Sequence, residues 1–426
     1  MSWMVATFGS SGRNDAPGRQ VAAMDIGSTK VVAAVAELEG QNRLRVVATG
    51  TAPCNGVRKG SVVDIEETAQ AILAAIRSCE QMIDSKILSV VMGITGDHIS
   101  GTRSTGLIPI TPPGRQIQPG DVERVINHSR TMPVESDRQL LHAVPISFKV
   151  NGQAGVHDPV GMNGERLEVV SFLVTGNKSQ ILNLERCAER AQLRIDDIVL
   201  QIIATAEAVS TPTDRQASCA VIDIGGYSTD VGVFREGGIV SMGLVPIGAA
   251  FITSDLAYLI KTPAEEAEEL KKRYGCAIAS TVGEKETVPV KRIGEDKPRA
   301  MLRRVFCEII EARAQEILEL SRKVIEKSVP VEELSAGVIL TGGGAKLPGM
   351  DALAARVFGG VPIRVAGPMP LAGLGDVISD LEHSSIVGLL HHARRLASKR
   401  VQKPEQRGFL GKLKDLFGDA GEEEIS

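Results

Sequence analysis

Two short stretches constrain this chain more than anything else in it. MDIGSTK at 24–30 and VIDIGGYSTD at 221–230 share one pattern: an apolar run, then Asp-Ile-Gly, then small and hydroxyl-bearing residues. In each, an aliphatic run reads as a buried strand that ends at an aspartate, turns at a glycine and returns as a second strand. A unit that recurs at such a distance predicts two lobes of similar construction.

The turns carry a definite chemistry. Asp25 closes the first strand, and Gly27 lets the chain turn tightly. Ser28, Thr29 and Lys30 then offer backbone N–H groups, hydroxyls and one ammonium, a set that can cradle a phosphate. An aspartate at the strand end can hold magnesium through water. The second turn repeats the arrangement with Asp223, Gly225, Gly226, Tyr227 and Ser228, and Asp230 starts the returning strand. A third strand, VILT, ends in Gly342, Gly343 and Gly344, which leave room for a flat base or ribose against the backbone. Any one of these alone reads more readily as an ordinary polar turn. All three, in this order, predict two hairpins that grip a triphosphate across a cleft.

Around them, strand-like runs alternate with helical patterns such as IEETAQAILAAIRSCEQMI at 65–83, which argues for an α/β chain. Two stretches interrupt the alternation. Residues 86–166 are rich in Gly, Pro and Thr and read as a small α+β insert. Residues 256–331 are mostly helical and highly charged, and RAMLRRVFCEIIEARAQEILELSRKVIEK reads as one long amphipathic helix. Aromatics are only 3% of the chain, so the core must rest on Val, Ile, Leu and Ala. The net charge of −4 gives no global pull toward nucleic acid. The six cysteines form no CxxC pair, so neither a zinc site nor a disulfide framework is expected. No apolar run reaches the roughly 18 residues of a membrane span. The first 19 residues lack a signal-peptide pattern and read as a polar tail, and the chain is expected in the cytoplasm.

One stretch breaks the polar character of the C-terminal end: GFLGKLKDLFG at 408–418. At about 100° per residue, Phe409, Leu410, Leu413, Leu416 and Phe417 fall within an arc of roughly 120°, with Lys412 and Lys414 flanking it. A helix folded back on the core would use the same stripe. The polar linker with Pro404 before it and the acidic residues after it favour an interfacial membrane helix instead. Five apolar side chains give on the order of 5–9 kcal/mol, and the basic residues about 1 kcal/mol each near anionic lipid. Ordering the segment costs about 10 kcal/mol, and Gly411 adds about 1 more. One copy therefore binds weakly, and several held together bind firmly.

The motifs and their flanks carry a resemblance. DIGSTK, DIGGYSTD and TGGGAKLPG match, in order, the phosphate-1, phosphate-2 and adenosine elements of the actin/Hsp70/sugar-kinase superfamily. VMGITGDHISGTRSTG, PIGAAFITSDLAY, AEELKKRYGCAIAS, IVGLLHHA and GFLGKLKDLF are similar to the FtsA family of bacterial actin-like cell-division proteins, over roughly residues 20–418. The resemblance implies an actin-like ATPase fold of two lobes around a nucleotide cleft, with ATP and Mg²⁺ as cofactors. It implies subdomain 1A at 20–85, 167–205 and 380–397, the insert (1C) at 86–166, 2A at 206–255 and 332–379, and 2B at 256–331. A linker at 398–407, the amphipathic helix and an acidic tail at 419–426 complete the chain. Asp25 and Asp223 would sit near Mg²⁺, and Gln201 would orient the attacking water. The nucleotide would be held by Gly27, Ser28, Thr29, Lys30, Gly225, Gly226, Tyr227, Ser228, Glu268, Lys271, Gly342, Gly343, Gly344 and Lys346. Two features depart from the family pattern: Gln201-Ile202 stands where many members have Glu-Pro, and Tyr227 replaces a glycine, where it could crowd the γ-phosphate or cover the turn. At most a weak ATPase is implied. The partners implied are the C-terminal peptide of FtsZ on 2B, further copies of the chain in a filament, anionic lipids and later division proteins, at the inner face of the cytoplasmic membrane. A small-molecule kinase of the same superfamily, or a pilus-assembly actin-like scaffold, are the competing readings.

Overall fold

A computed structural model describes residues 20–39, 43–131 and 133–402. Its two main sheets answer the sequence repeat. In the first lobe the strands run in the order Arg194–Leu200, Ser89–Ile94, Gln20–Ile26, Lys30–Glu39, Arg43–Pro53, with the short Ala372–Gly373 at the edge. In the second the order is Ile363–Val365, Val338–Thr341, Cys219–Ile224, Thr229–Arg235, Gly238–Val245. Each sheet is built the same way. An Asp-Ile-Gly hairpin pairs antiparallel, a third strand extends it, and later strands arrive parallel on its other side. The lobes share one topology, as the repeat requires.

The turns match in detail. Gly27 N–H donates to the Lys30 carbonyl at 2.9 Å, and Gly225 N–H to the Ser228 carbonyl at 3.0 Å. Each closes a two-residue turn, Ser28-Thr29 in one lobe and Gly226-Tyr227 in the other. The register then sets Asp25 opposite Val32 and Asp223 opposite Asp230. The cores are aliphatic: Val, Ala, Ile and Leu fill both, with few aromatics such as Phe234, Phe306 and Phe358 fully buried.

The insert is a four-stranded antiparallel sheet with its own core of residues such as Ile117, Val125, Leu167 and Val169, covered by helix Pro119–Ser129. Its limits differ from 86–166. Ser89–Ile94 belongs to the first lobe's sheet, whereas Arg166–Asn177 is an inner strand of the insert, flanked by Ser100–Pro109 and Arg138–Val150. That strand places Leu167 and Leu173 in the insert core but Phe172 and Val174 in the first lobe's core, so composition alone marks no border along it. The chain also returns to the first lobe earlier than residue 380. Ala372–Gly373 pairs with Arg43–Pro53, and helix Ser384–Gln402 buries Ile386, Val387, Leu389 and Leu390 against that lobe. This helix runs on through the start of the expected 398–407 linker.

In the charged region, the long helix spans Arg303–Glu326, and the preceding Arg299–Leu302 pairs with Thr287–Val290 as a small hairpin. The expected helix at 408–418, with Phe409, Leu410, Lys412, Leu413, Lys414, Leu416 and Phe417, lies outside the described residues, as do 1–19. Among the described residues no helix is long and apolar enough to cross a membrane.

Candidate functional site

The two Asp-Ile-Gly turns face each other across a cleft of about 770 Å³ that opens to solvent. Its wall includes Asp25, Gly27, Ser28, Thr29 and Lys30 from one lobe and Asp223, Gly225, Gly226, Tyr227 and Ser228 from the other. The turns nearly touch: a Cβ at Gly226 would stand 2.7 Å from Thr29 Cγ2, so a side chain there would push the Thr29 side chain aside. Gly342, with φ +86°, lies so close to the Asp223 carboxylate that a side chain there would collide with it. Gly342 and Gly343 line the cleft, whereas Gly344 packs against Ile224 behind it.

Three carboxylates share the floor: Asp25, Asp223 and Asp230. Each has a fixed donor. Gln201, first residue of helix Gln201–Val209, donates its amide N–H to Asp25. Thr205, one turn on, donates to Asp223 at 3.0 Å. Thr95, from the first lobe, donates to Asp230 of the second. Ser385, in the first turn of Ser384–Gln402, also lines the cleft, where its hydroxyl works against burial on the carboxyls of Asp25 and Asp223. Burial, with Asp230 and Asp25 close by, pushes the Asp223 carboxyl up to about 7. Burial beside Asp25 raises Asp230 to about 6, and burial raises Asp25 as well. These carboxylates repel one another in a poorly solvated place, which is the setting a divalent cation relieves.

The donor set fits a hydrated cation. Among the described residues no group of three or more His, Cys, Asp or Glu side chains converges tightly enough to chelate a bare ion. Magnesium characteristically keeps several waters and takes only one or two carboxylates plus phosphate oxygens.

Lys30 is already engaged. Its ammonium lies 2.8 Å from Glu382, whose other oxygen is 3.1 Å from Lys346. Lys346 also reaches Asp380 at 2.5 Å, so it stands behind Glu382 and off the cleft wall. Burial alone would raise the Glu382 carboxyl, but Lys30 and Lys346 override it and hold it down at about 2. Tyr227 stacks its edge on Phe251, with ring centroids 6.3 Å apart and planes at 76°. It covers the turn. Glu268 and Lys271 lie on helix Ala264–Tyr274 and pair with each other at 2.7 Å. Both also bond to Thr253, and Lys271 donates to the Ala249 carbonyl at 3.1 Å. Neither lines the cleft, but Ala249 N–H itself donates to the Gly225 carbonyl at 2.9 Å, so the pair braces the helix behind the second turn.

Thr95, Thr205, Asp230, Glu382 and Ser385 have no place among the site residues read from the sequence. Asp230 had a local signal, because a charged residue opposite Asp223 is out of character in the apolar run DVGVF. The others had none.

The family model "Cell division protein FtsA" matches residues 220–388, and the model "SHS2 domain inserted in FTSA" matches 96–175. The chain is 37% identical to the cell division protein FtsA of Pseudomonas aeruginosa over 373 residues, covering 88% of this chain and 89% of that one. It is 35% identical to that of Neisseria meningitidis over 404 residues, covering 95% and 96%. Among solved structures, the PilM–PilN type IV pilus biogenesis complex aligns with a TM-score of 0.60 at 15% identity, over 89% of this chain and 99% of that one. MreB5 of Spiroplasma citri bound to ADP aligns with a TM-score of 0.56 at 14% identity, over 91% and 99%.

Proposed function

The chain belongs to the FtsA family of cell-division proteins, and from that premise we propose that it binds ATP with Mg²⁺ between its lobes, polymerises, and links the division ring to the membrane. The observation that carries the nucleotide reading is the pair of opposed turns above three crowded carboxylates. In this reading the N–H groups and hydroxyls of Ser28, Thr29, Gly226 and Ser228 hold the phosphates, and Lys30 neutralises one of them. The cation near Asp25 and Asp223 supplies charge neutralisation at the phosphates. Gly342 and Gly343 take the adenosine, Gln201, held by Asp25, orients water, and Glu268 and Lys271 act from behind the cleft by bracing the second turn. Hydrolysis is at most slow, because phosphoryl transfer needs a well-positioned water and Gln201-Ile202 stands where many members of the family have Glu-Pro.

The remaining parts of the reading rest on the family and on the sequence. Residues 256–331 dock the C-terminal peptide of FtsZ. The helix at 408–418 lies in the inner face of the cytoplasmic membrane, held by the avidity of the filament, and the insert helps recruit later division proteins. Titration with a fluorescent ATP analogue, with and without Mg²⁺, tests the cleft: binding that is lost in Asp223→Asn is expected, and Mg²⁺-independent binding would overturn it. Co-sedimentation with anionic vesicles, with and without residues 408–418, tests the tether. Binding is expected only with the segment and more tightly when ATP drives assembly; equal affinity of monomer and filament would count against it.

A further inference from the structure

The strand Arg194–Leu200 is the outer edge of the first lobe's sheet, so its outward N–H groups have no neighbouring strand. At its last residue the insert supplies a partner. His142, on the insert strand Arg138–Val150, accepts the Leu200 N–H through Nε2 at 2.9 Å. Both residues are buried, at 2% and 1% exposure. Because Nε2 accepts, Nδ1 carries the proton; that nitrogen has no partner among the described residues, and His142 lines a small cavity together with Glu207, His392 and Arg395.

The next residue after Leu200 is Gln201, which donates to Asp25 on the cleft floor. A Cβ at Gly93 would stand 2.9 Å from Gln201 Cγ, so the sheet leaves that side chain little room to shift on its own. The same insert strand also reaches the second lobe: a Cβ at Gly238 would come within 3.3 Å of Ile146 Cα. One strand of the insert thus bears on both lobes, four residues apart, and holds the backbone that presents Gln201.

We propose that His142 is a positioning residue that couples the insert to the nucleotide cleft through Leu200 and Gln201. Whatever displaces the insert strand then changes how Gln201 meets Asp25, and nucleotide binding changes the insert strand in return, since such coupling is reciprocal. This rests on the nucleotide reading of the cleft.

The test is a double-mutant cycle in the full chain, read by the affinity for a fluorescent ATP analogue with Mg²⁺. His142→Leu removes the acceptor and is expected to weaken binding about five- to tenfold. His142→Gln keeps an acceptor at the Nε2 position and is expected to restore most of it. In a Gln201→Ala background, His142→Leu is expected to change nothing further. An equal loss in both backgrounds, or no rescue by glutamine, overturns the coupling and assigns His142 to stability alone. A wild-type chain that binds no nucleotide overturns the reading of the cleft instead. Amide hydrogen exchange needs no folded leucine variant: Mg²⁺-ATP is expected to slow exchange at 138–150 in the wild type but not in Gln201→Ala, while the two phosphate turns are protected in both. Exchange at 138–150 that ignores nucleotide in the wild type also overturns it.

Discussion

Thr95, one residue beyond the end of a first-lobe strand, donates its hydroxyl to Asp230 in the second lobe, and so joins the lobes across the cleft floor. A buried carboxylate deprived of its donor costs about 1–3 kcal/mol. Thr95→Val keeps the shape and removes the hydroxyl. It is expected to lower the melting temperature of the nucleotide-free protein, and a melting temperature equal to wild type would show that the bond joins nothing.

The crowded carboxylates give that stability a pH dependence of definite sign. Unfolded aspartate titrates near about 3.9, whereas Asp223 is pushed up to about 7 and Asp230 to about 6. Between these values the folded state holds more protons than the unfolded one, so their contribution to stability is present at low pH and lost as pH rises through about 6 to 7. Buried His142 and half-buried His391, both held down to about 4, pull the opposite way below the ordinary histidine range. The comparison that isolates the carboxylates is therefore wild type against Asp223→Asn. The asparagine variant is expected to be the more heat-stable of the two at about pH 8, and the difference is expected to shrink toward about pH 6. A difference that grows on acidification would reverse the assignment.

Much of this site was legible before any coordinates. The repeated Asp-Ile-Gly motif identified both hairpins, the aspartates on the floor and the two-lobed plan, because a buried strand, its closing aspartate and its tight turn lie within a few residues of one another. Gly342 and Gly343 were legible for the same reason. Glu382, Ser385 and Thr95 were not. They reach the cleft through the return of the C-terminal helix and the edge of a neighbouring strand, which no local pattern records. The insert border failed differently, since Arg166–Asn177 contributes to two cores and has no single owner.

Lys30 cannot serve Glu382 and a phosphate fully at once. Glu382 adds a negative charge to a cleft that already holds three carboxylates, and Lys346 helps to keep it ionised. Glu382→Gln is expected to free Lys30 and tighten Mg²⁺-ATP binding. The gain is bounded by the worth of a partly exposed ion pair, up to about 1 kcal/mol or roughly fivefold. Raising the salt concentration is expected to narrow the gap between variant and wild type. Weaker binding in the glutamine variant would show that Glu382 positions Lys30 for the phosphate and does not compete with it.

Tyr227 was open to two readings, crowding of the γ-phosphate or cover for the turn. Its edge-on contact with Phe251, on the helix whose first N–H groups bond the carbonyls of Gly225 and Gly226, favours cover. An aromatic pair of this geometry is worth about 0.5–1.5 kcal/mol beyond its buried area. Tyr227→Phe keeps the ring and is expected to match wild type in both melting temperature and ATP affinity. Tyr227→Ala loses the ring and is expected to melt lower while holding ATP within about twofold, because the turn's own N–H groups remain in place. Tighter ATP binding in the alanine variant would mean that the ring had been occupying the phosphate's space after all.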